Sequence, residues 1–392
     1  MQDTIVGIDM GSFSTRVVVA HPPTHTTPPL VVGYGVTDTE GVRRGYIVDA
    51  EKAERSLRHA LARAEKMAEI KIKRAYVAVS GQSLTSDIVD VSIMVSKGDS
   101  QVTQFDVDSL EEKAEQTFYN HKKNKKILHI IPLYFQIDGE DIMGNPVGMR
   151  GTKIEARFLC MSTLTHHLED FVNVINNAGV SIIDVVASPL AISLATLSAR
   201  QRTVGVAILD IGAEITTLTL FENDKVLGVT TIPIGSSDIT NDIALGLKVT
   251  LDEARRIKEE YMIKDFAFSK RKISEIISAR MGDIFDMTNK YLQAHRRKGL
   301  LPAGVVITGA GSLLHDIKTY AEQHLELTIS IANVQQRFGQ ATKLLPDNRF
   351  ITAYSLCFLD SEATPSFSNN IFKKATTEGI SFVKRLIEQF MP

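Results

Sequence analysis

Cysteine is nearly missing from this chain: its 392 residues contain two, Cys160 and Cys357. Two thiols do not make a disulfide framework, which points to a reducing compartment. Charge of one sign is just as scarce. A formal net charge of −2 leaves no basic footprint, so nucleic acid is excluded as a partner class. No uninterrupted apolar run approaches the length needed to cross a bilayer. The opening MQDTIVGID enters a strand at once, with no n-region or h-region for export, so the body of the protein is expected to be cytoplasmic and soluble. With 44% hydrophobic residues, there is enough material for two or three domains with real cores.

What the chain does contain is a repeat. Val6 to Ala20 reads VGIDMGSFSTRVVVA, and Val206 to Leu220 reads VAILDIGAEITTLTL. In each copy a buried strand (Ile5 to Ile8; Val204 to Leu209) is expected to deliver an Asp at its end, Asp9 or Asp210. Gly11 or Gly212 then lets the backbone approach a ligand closely. Small and hydroxyl residues follow: Ser12, Ser14 and Thr15 in one copy, Ala213, Thr216 and Thr217 in the other. Such turns present N–H and O–H donors to phosphate, and each Asp is able to hold a hydrated Mg²⁺. A single Asp-X-Gly hairpin is an ordinary β-turn. Two of them inside similar strand patterns predict two matched half-domains that form a divided phosphate clamp.

The rest of the chain reads as an α/β layer with an interruption. His21 to Pro29 is a proline-rich loop, read as a solvated hairpin tip rather than a metal site. Val31 to Val36 and Arg74 to Val79 are strands around a helix from Asp49 to Ala68. Between about Ser83 and Ser162 the pattern changes to short strands (Ile88 to Val95, Ile127 to Ile137, Ile154 to Cys160) around one helix, Ser109 to Tyr119. This is a small α+β insertion. Its run HKKNKK, His121 to Lys126, reads as a solvated helix end, and His166 with His167, adjacent on a helix, as a poor metal pair. The second half runs from near Thr203, with helices over Asp238 to Leu247, Leu251 to Tyr261 and Lys272 to Ala294. VVITGAGSLL, Val305 to Leu314, then gives a third strand-glycine turn, whose bare Gly309-Ala310-Gly311-Ser312 leaves a slot for a flat group such as a purine.

The last segment has a different character. Asp360 to Asn370 (DSEATPSFSNN) is polar and punctuated by Pro365, so it reads as a flexible linker. At about 100° per residue, Ile380, Phe382, Val383, Leu386, Ile387, Phe390 and Met391 fall on one half of a helical wheel. Ser381, Lys384, Arg385, Glu388 and Gln389 fill the other. Across Ile371 to Pro392, Lys373, Lys374, Lys384 and Arg385 outnumber Glu378 and Glu388 by two. An amphipathic stripe alone fits a core as well as a bilayer. Its position after a linker favours a membrane surface with anionic headgroups.

The order of parts resembles the actin fold and, more narrowly, the FtsA family of bacterial cell-division actin homologues. The segments that bear the resemblance are GYGV with GVRRGYIVD (Gly33 to Asp49), SGQSLTS (Ser80 to Ser86), GNPVGMRG (Gly144 to Gly151), IPIGSSDITNDIA (Ile232 to Ala244), TGAGS (Thr308 to Ser312) and ITAYSL (Ile351 to Leu356). The resemblance implies two duplicated halves around a nucleotide cleft: residues 1–82 and 163–202 for the first, 203–358 for the second. An inserted α+β subdomain would span 83–162, a linker 359–370 and a membrane-targeting helix 371–392.

It further implies ATP with Mg²⁺ in the cleft. Gly11, Ser12, Phe13 and Ser14 would face the terminal phosphates, with Gly212, Ala213, Glu214 and Thr216 on the opposite wall. Asp9 and Asp210 would hold water on the metal, Lys258 would lie beside the nucleoside, and Gly309, Gly311 and Ser312 would bracket adenine and ribose. Ala213-Glu214 departs from the family's consecutive glycines and puts a negative charge near phosphate, unfavourable unless metal or Arg offsets it. Gly235-Ser236 and Arg255 are further departures. Where active relatives place a Glu or Gln before Pro-hydrophobic-Ala to orient water, this chain has Ser188, so at most slow ATP hydrolysis is expected.

The implied partners are the FtsZ C-terminal tail, anionic lipids, other copies of the chain in filaments, and further division proteins. The implied place is the cytoplasmic face of the cell membrane at the septum. Arg280 and Asp283 match the FtsZ-tail site. Three apart on one helix, they share a face, and an intrahelical ion pair accounts for them equally well. The alternatives are a PilM-like pilus-assembly actin homologue that binds an inner-membrane protein's tail, and a small-molecule kinase of the same superfamily, for which no catalytic Asp signature is present.

Overall fold

The computed structural model describes residues 4–359 apart from 25, 97 and 99. The expected linker and amphipathic helix, with Phe382, Val383, Leu386, Ile387, Phe390 and Met391, lie outside the described residues.

β1 (Ile5–Met10), β2 (Ser14–His21) and β3 (Leu30–Asp38) form an antiparallel meander, followed by a small hairpin of β4 (Val42–Arg43) and β5 (Tyr46–Ile47). Helix α1 (Ala50–Ala68) then crosses over. Ala53, Leu57, Ala60, Leu61 and Ala64 recur at helical spacing and are all buried. Asp49 caps the helix by accepting from Lys52 N, and Glu69 closes it in the left-handed region. The crossover sets β6 (Arg74–Val79) parallel to β1.

The chain then leaves to build a separate four-stranded sheet, in the order β7-β10-β8-β9, from β7 (Thr85–Met94), β8 (Lys125–Ile137), β9 (Glu140–Ile142) and β10 (Lys153–Leu164). Helix α2 (Gln104–His121) packs on it over a core that includes Leu110, Phe118, Ile154 and Phe158. α2 starts five residues before the expected Ser109. Asp106 explains the difference: it is fully buried, accepts from the backbone N–H groups of Ser96 and Thr103, and completes a capping box with Thr103, the residue that caps the helix.

α3 (Thr165–Asn177) and β11 (Ser181–Ala187) complete a first sheet ordered β11-β6-β1-β2-β3, and α4 (Ser188–Thr196) and α5 (Ala199–Val204) lead out of it. β12 (Val206–Ile211), β13 (Thr216–Glu222) and β14 (Lys225–Ile232) repeat the meander. α6 (Ser236–Leu247), α7 (Leu251–Glu260) and α8 (Lys270–Ala294) form the crossover to β15 (Val305–Thr308). α9 (Ile317–Leu325) connects to β16 (Ile329–Ile331), and α10 (Val334–Phe338) and α11 (Ile351–Leu356) follow. The second sheet runs β14-β13-β12-β15-β16, strand for strand the arrangement of the first. In both, the antiparallel hairpin lies beside a parallel neighbour, so the duplication in the sequence is a duplication of topology.

The halves are joined by a common core. Leu190 and Ile192 of α4 pack with Ala353, Tyr354 and Leu356 of α11, Val18 of the first sheet and Ile208 of the second. Fully burying each such aliphatic side chain stabilises by roughly 1.5–3 kcal/mol.

Candidate functional site

Each Asp-X-Gly hairpin is closed by the same bond. Gly11 N donates to Ser14 O at 3.2 Å, and Gly212 N donates to Ile215 O at 2.9 Å. The two turns face one cavity of about 1190 Å³, slightly above the usual range of sites that enclose small molecules. Asp9, Gly11, Ser12, Phe13 and Ser14 line one side. Asp210, Gly212, Ala213 and Glu214 line the other, with Lys258 and Gly309 at the wall beyond.

Three expected residues stand one layer behind that wall. Thr216 is buried at the start of β13 and donates its hydroxyl to Ile234 O at 2.8 Å. Ser312 donates to Gly309 O at 2.7 Å, and Gly311 fits against Ile211, whose Cγ2 would sit 2.2 Å from an added Cβ. Gly309 is different. Its φ of +79° favours glycine, and an added Cβ would lie 2.4 Å from an Asp210 carboxylate oxygen, so the bare turn keeps the end of β12 open.

Burial sets the electrostatics. Asp210 is pushed up to about 7, first by desolvation and then by the Asp9 charge, and burial raises Asp9 as well. Arg16 offsets part of this from β2, with Nη1 3.4 Å from Asp9 Oδ2. Burial thus favours the uncharged carboxyls, a nearby divalent cation would favour the carboxylates, and oxygen ligands of this kind suit such a hard cation. Lys258 reaches back from α7, donates to Ser236 O at 2.9 Å and is lowered to about 8 by burial. Ser188, at the start of α4, lines the cavity with a buried hydroxyl that has no hydrogen-bond partner.

The residues that sequence reasoning missed are arginines. Arg43, at the end of β4, reaches across to Glu214 with its guanidinium, and Arg44, in the turn that follows, with its backbone N–H. Arg255 of α7 stacks on Phe13. Their signal was a pair of arginines bracketed by glycines in GVRRGYIVD, and Glu214 itself, whose acidity demands a cation nearby.

Arg280 of α8 forks onto Asp242 of α6, with Nε and Nη2 at 2.7 and 3.0 Å, and also contacts Asp283 at 3.0 Å. The intrahelical pair is therefore present, and a second helix shares it. His166 and His167 also differ from expectation. Side-chain ligand atoms of His166, His167 and Asp170 lie within 4.8 Å of one another, and the Tyr46 ring stacks on His167 with centroids 3.7 Å apart.

A family model described as cell division protein FtsA matches residues 207–355, and one described as the SHS2 domain inserted in FtsA matches residues 81–162, between them more than half of the chain. The cell division protein FtsA of Bacillus subtilis is 27% identical over 350 residues, covering 84% of this chain and 78% of that protein. Among solved structures, the PilM–PilN type IV pilus biogenesis complex superposes with a TM-score of 0.69 at 16% identity, covering 91% of this chain and 98% of that one. MreB5 of Spiroplasma citri bound to AMPPNP gives 0.52 at 13%, covering 100% of both. At these identities the two structures establish the fold alone. It is actin-like.

Proposed function

This chain belongs to the FtsA family of cell-division proteins, and from that premise we propose that it is an ATP-binding, self-associating scaffold that tethers FtsZ filaments to the cytoplasmic membrane at the division septum. The observation that supports it most is the pair of facing Asp-X-Gly hairpins on one cavity, with Lys258 and the Gly309 turn beyond them. Asp9 and Asp210 would hold Mg²⁺ through water, which when bound would neutralise phosphate charge. Gly11, Ser12, Phe13 and Ser14 would meet the terminal phosphates from one side, and Gly212 and Ala213 from the other, with Glu214 beside them on the same hairpin. The nucleoside would lie by Lys258 and Gly309, with Gly311, Ser312 and Thr216 supporting these turns from behind.

The nucleotide serves as a structural or switching ligand more than as a substrate. Ser188 reaches less far than Glu or Gln and is a poor base at neutral pH, so turnover is slow. Arg280 and Asp283 would present the face for the FtsZ tail. Among the described residues no helix is long and apolar enough to cross a membrane, and attachment falls instead to the amphipathic segment 371–392. A single short amphipathic helix binds reversibly, so stable attachment requires several tails acting together through a filament.

Calorimetric titration with ATP, with and without Mg²⁺, tests the nucleotide. No heat in either case sinks the reading, and turnover above about 1 per second removes slow hydrolysis. Co-sedimentation with FtsZ polymers separates this reading from a PilM-like one. The PilM likeness rests on fold at 16% identity, whereas the sequence matches are to FtsA.

A further inference from the structure

Glu214 does more than add charge to the second hairpin. Its Oε1 accepts from Arg43 Nη1 and its Oε2 from Arg44 N, both at 2.6 Å, and its side chain is 16% exposed. Both donors belong to the β4–β5 hairpin of the other half, Arg43 closing β4 and Arg44 opening its turn. The next N–H in that turn, Gly45, donates to Ser12 Oγ at 3.1 Å in the first hairpin. A guanidinium and two successive backbone N–H groups therefore converge on the space between the two turns. That donor set is one that binds phosphate oxygens.

A carboxylate satisfies such a site in the way an anionic ligand does, with two acceptor oxygens and one negative charge. We propose that Glu214 is a built-in anion that holds the donors of the β4–β5 hairpin, and that the terminal phosphate of a nucleoside triphosphate gains them by displacing it. This rests on the nucleotide reading above. It makes Glu214 a specificity residue: a diphosphate leaves the carboxylate in place, whereas a triphosphate must compete with it.

The limbs of the contact are unequal. Arg43 is 74% exposed, so solvent screens its ion pair and its share is small. The Arg44 N–H is fixed by the backbone and meets a carboxylate that is mostly covered. The competition therefore turns on Glu214, with Arg43 a minor contributor.

The test is calorimetry on the intact chain with Mg²⁺-ATP and Mg²⁺-ADP, comparing wild type, Glu214→Ala, Glu214→Gln and Arg43→Ala. ATP should bind about tenfold tighter to Glu214→Ala, the scale of one lost charge-assisted competitor, with ADP unchanged within about twofold. Glu214→Gln keeps the shape without the charge, guards against misfolding of the alanine variant, and should fall between. Arg43→Ala should shift ATP affinity by less than about threefold. In nucleotide-free protein, hydrogen exchange at the Arg44 amide should speed up in Glu214→Ala. Unchanged ATP affinity in both Glu214 variants overturns the inference, as does equal tightening of ATP and ADP, which would mean that Glu214 only repels polyphosphate through space. Failure of wild type and all variants to bind either nucleotide overturns the nucleotide reading itself.

Discussion

Arg255 of α7 holds its guanidinium 4.9 Å from the centre of the Phe13 ring, so a side chain of the second half covers an aromatic presented by the first Asp-X-Gly hairpin. The ring is 36% exposed, and a cation over a partly wet aromatic face contributes about 0.5–1 kcal/mol. Together with Glu214 and Arg43 this contact spans the cleft from one hairpin to the other.

Breaking that contact should loosen the cleft. Phe13→Ala and Arg255→Ala should each weaken ATP binding by about threefold, and the double variant should be no weaker than either, giving a coupling of about 0.5–1 kcal/mol. Titration calorimetry over the four-member cycle measures it. Strict additivity would show that the two side chains act separately.

His129 gives a pH signature of stability. It lies buried in β8, accepts the Ala187 N–H at Nε2 over 3.0 Å and so ties the inserted sheet to β11, one residue before Ser188. Burial lowers it to about 4. Below the unfolded value of about 6.5 the unfolded chain binds a proton that the folded chain refuses. This contribution to stability is therefore intact above pH 6.5 and drains away as pH falls toward 4. Asp184, raised to about 6 by burial, acts in the opposite direction over part of the same window, so a variant comparison is needed. The stability advantage of wild type over His129→Gln in urea should narrow by about 2 kcal/mol between pH 7 and pH 5. A gap that stays constant with pH would mean that His129 is not held neutral.

Arg280 combines a helix-to-helix fork with its proposed contact to the FtsZ tail. Both Arg280 and Asp242 are more than a quarter exposed, so solvent discounts the fork to about 1 kcal/mol. Arg280→Glu should lower stability by about that amount and weaken capture of an FtsZ C-terminal peptide at least tenfold, the scale of one charge-assisted contact. Asp242→Asn should match its stability loss while leaving peptide affinity within about threefold. Fluorescence anisotropy with a labelled peptide separates the roles. Equal peptide loss in both variants would make Arg280 purely structural.

The amphipathic segment 371–392 should direct the chain to anionic lipid. Sedimentation with anionic liposomes should pellet the intact chain, and should leave in solution a chain ending at Ser368 and the double variant Phe382→Glu with Phe390→Glu. Placing a charge at two of the seven apolar positions, the two aromatic ones, removes much of the burial that drives interfacial binding. Equal pelleting of all three would move the lipid contact elsewhere.

The sequence by itself determined what local pattern is able to encode. Each Asp-X-Gly hairpin is a strand, a turn and a strand within about fifteen residues, so the buried run, the Asp and the Gly declare it without distant help. Helix α1 was legible from a run rich in Ala, Glu, Lys and Arg, and α8 from its amphipathic pattern, with α8 starting at Lys270, two residues before the expected Lys272. The start of α2 was not, because Asp106 reads as solvated until the Ser96 and Thr103 amides that bury it are in place. Tertiary structure alone decided which side chains meet. Glu214 lies 171 residues from Arg43, Arg255 stands on the far wall from Phe13, and Asp242 joins Arg280 from another helix. Sequence periodicity carries no information about such pairs, since they depend on how two sheets, each already satisfied in its own hydrogen bonds, are set against one another by the shared core of α4 and α11. The same packing took Thr216, Gly311 and Ser312 off the cavity wall and put two arginines from the β4–β5 hairpin at its edge.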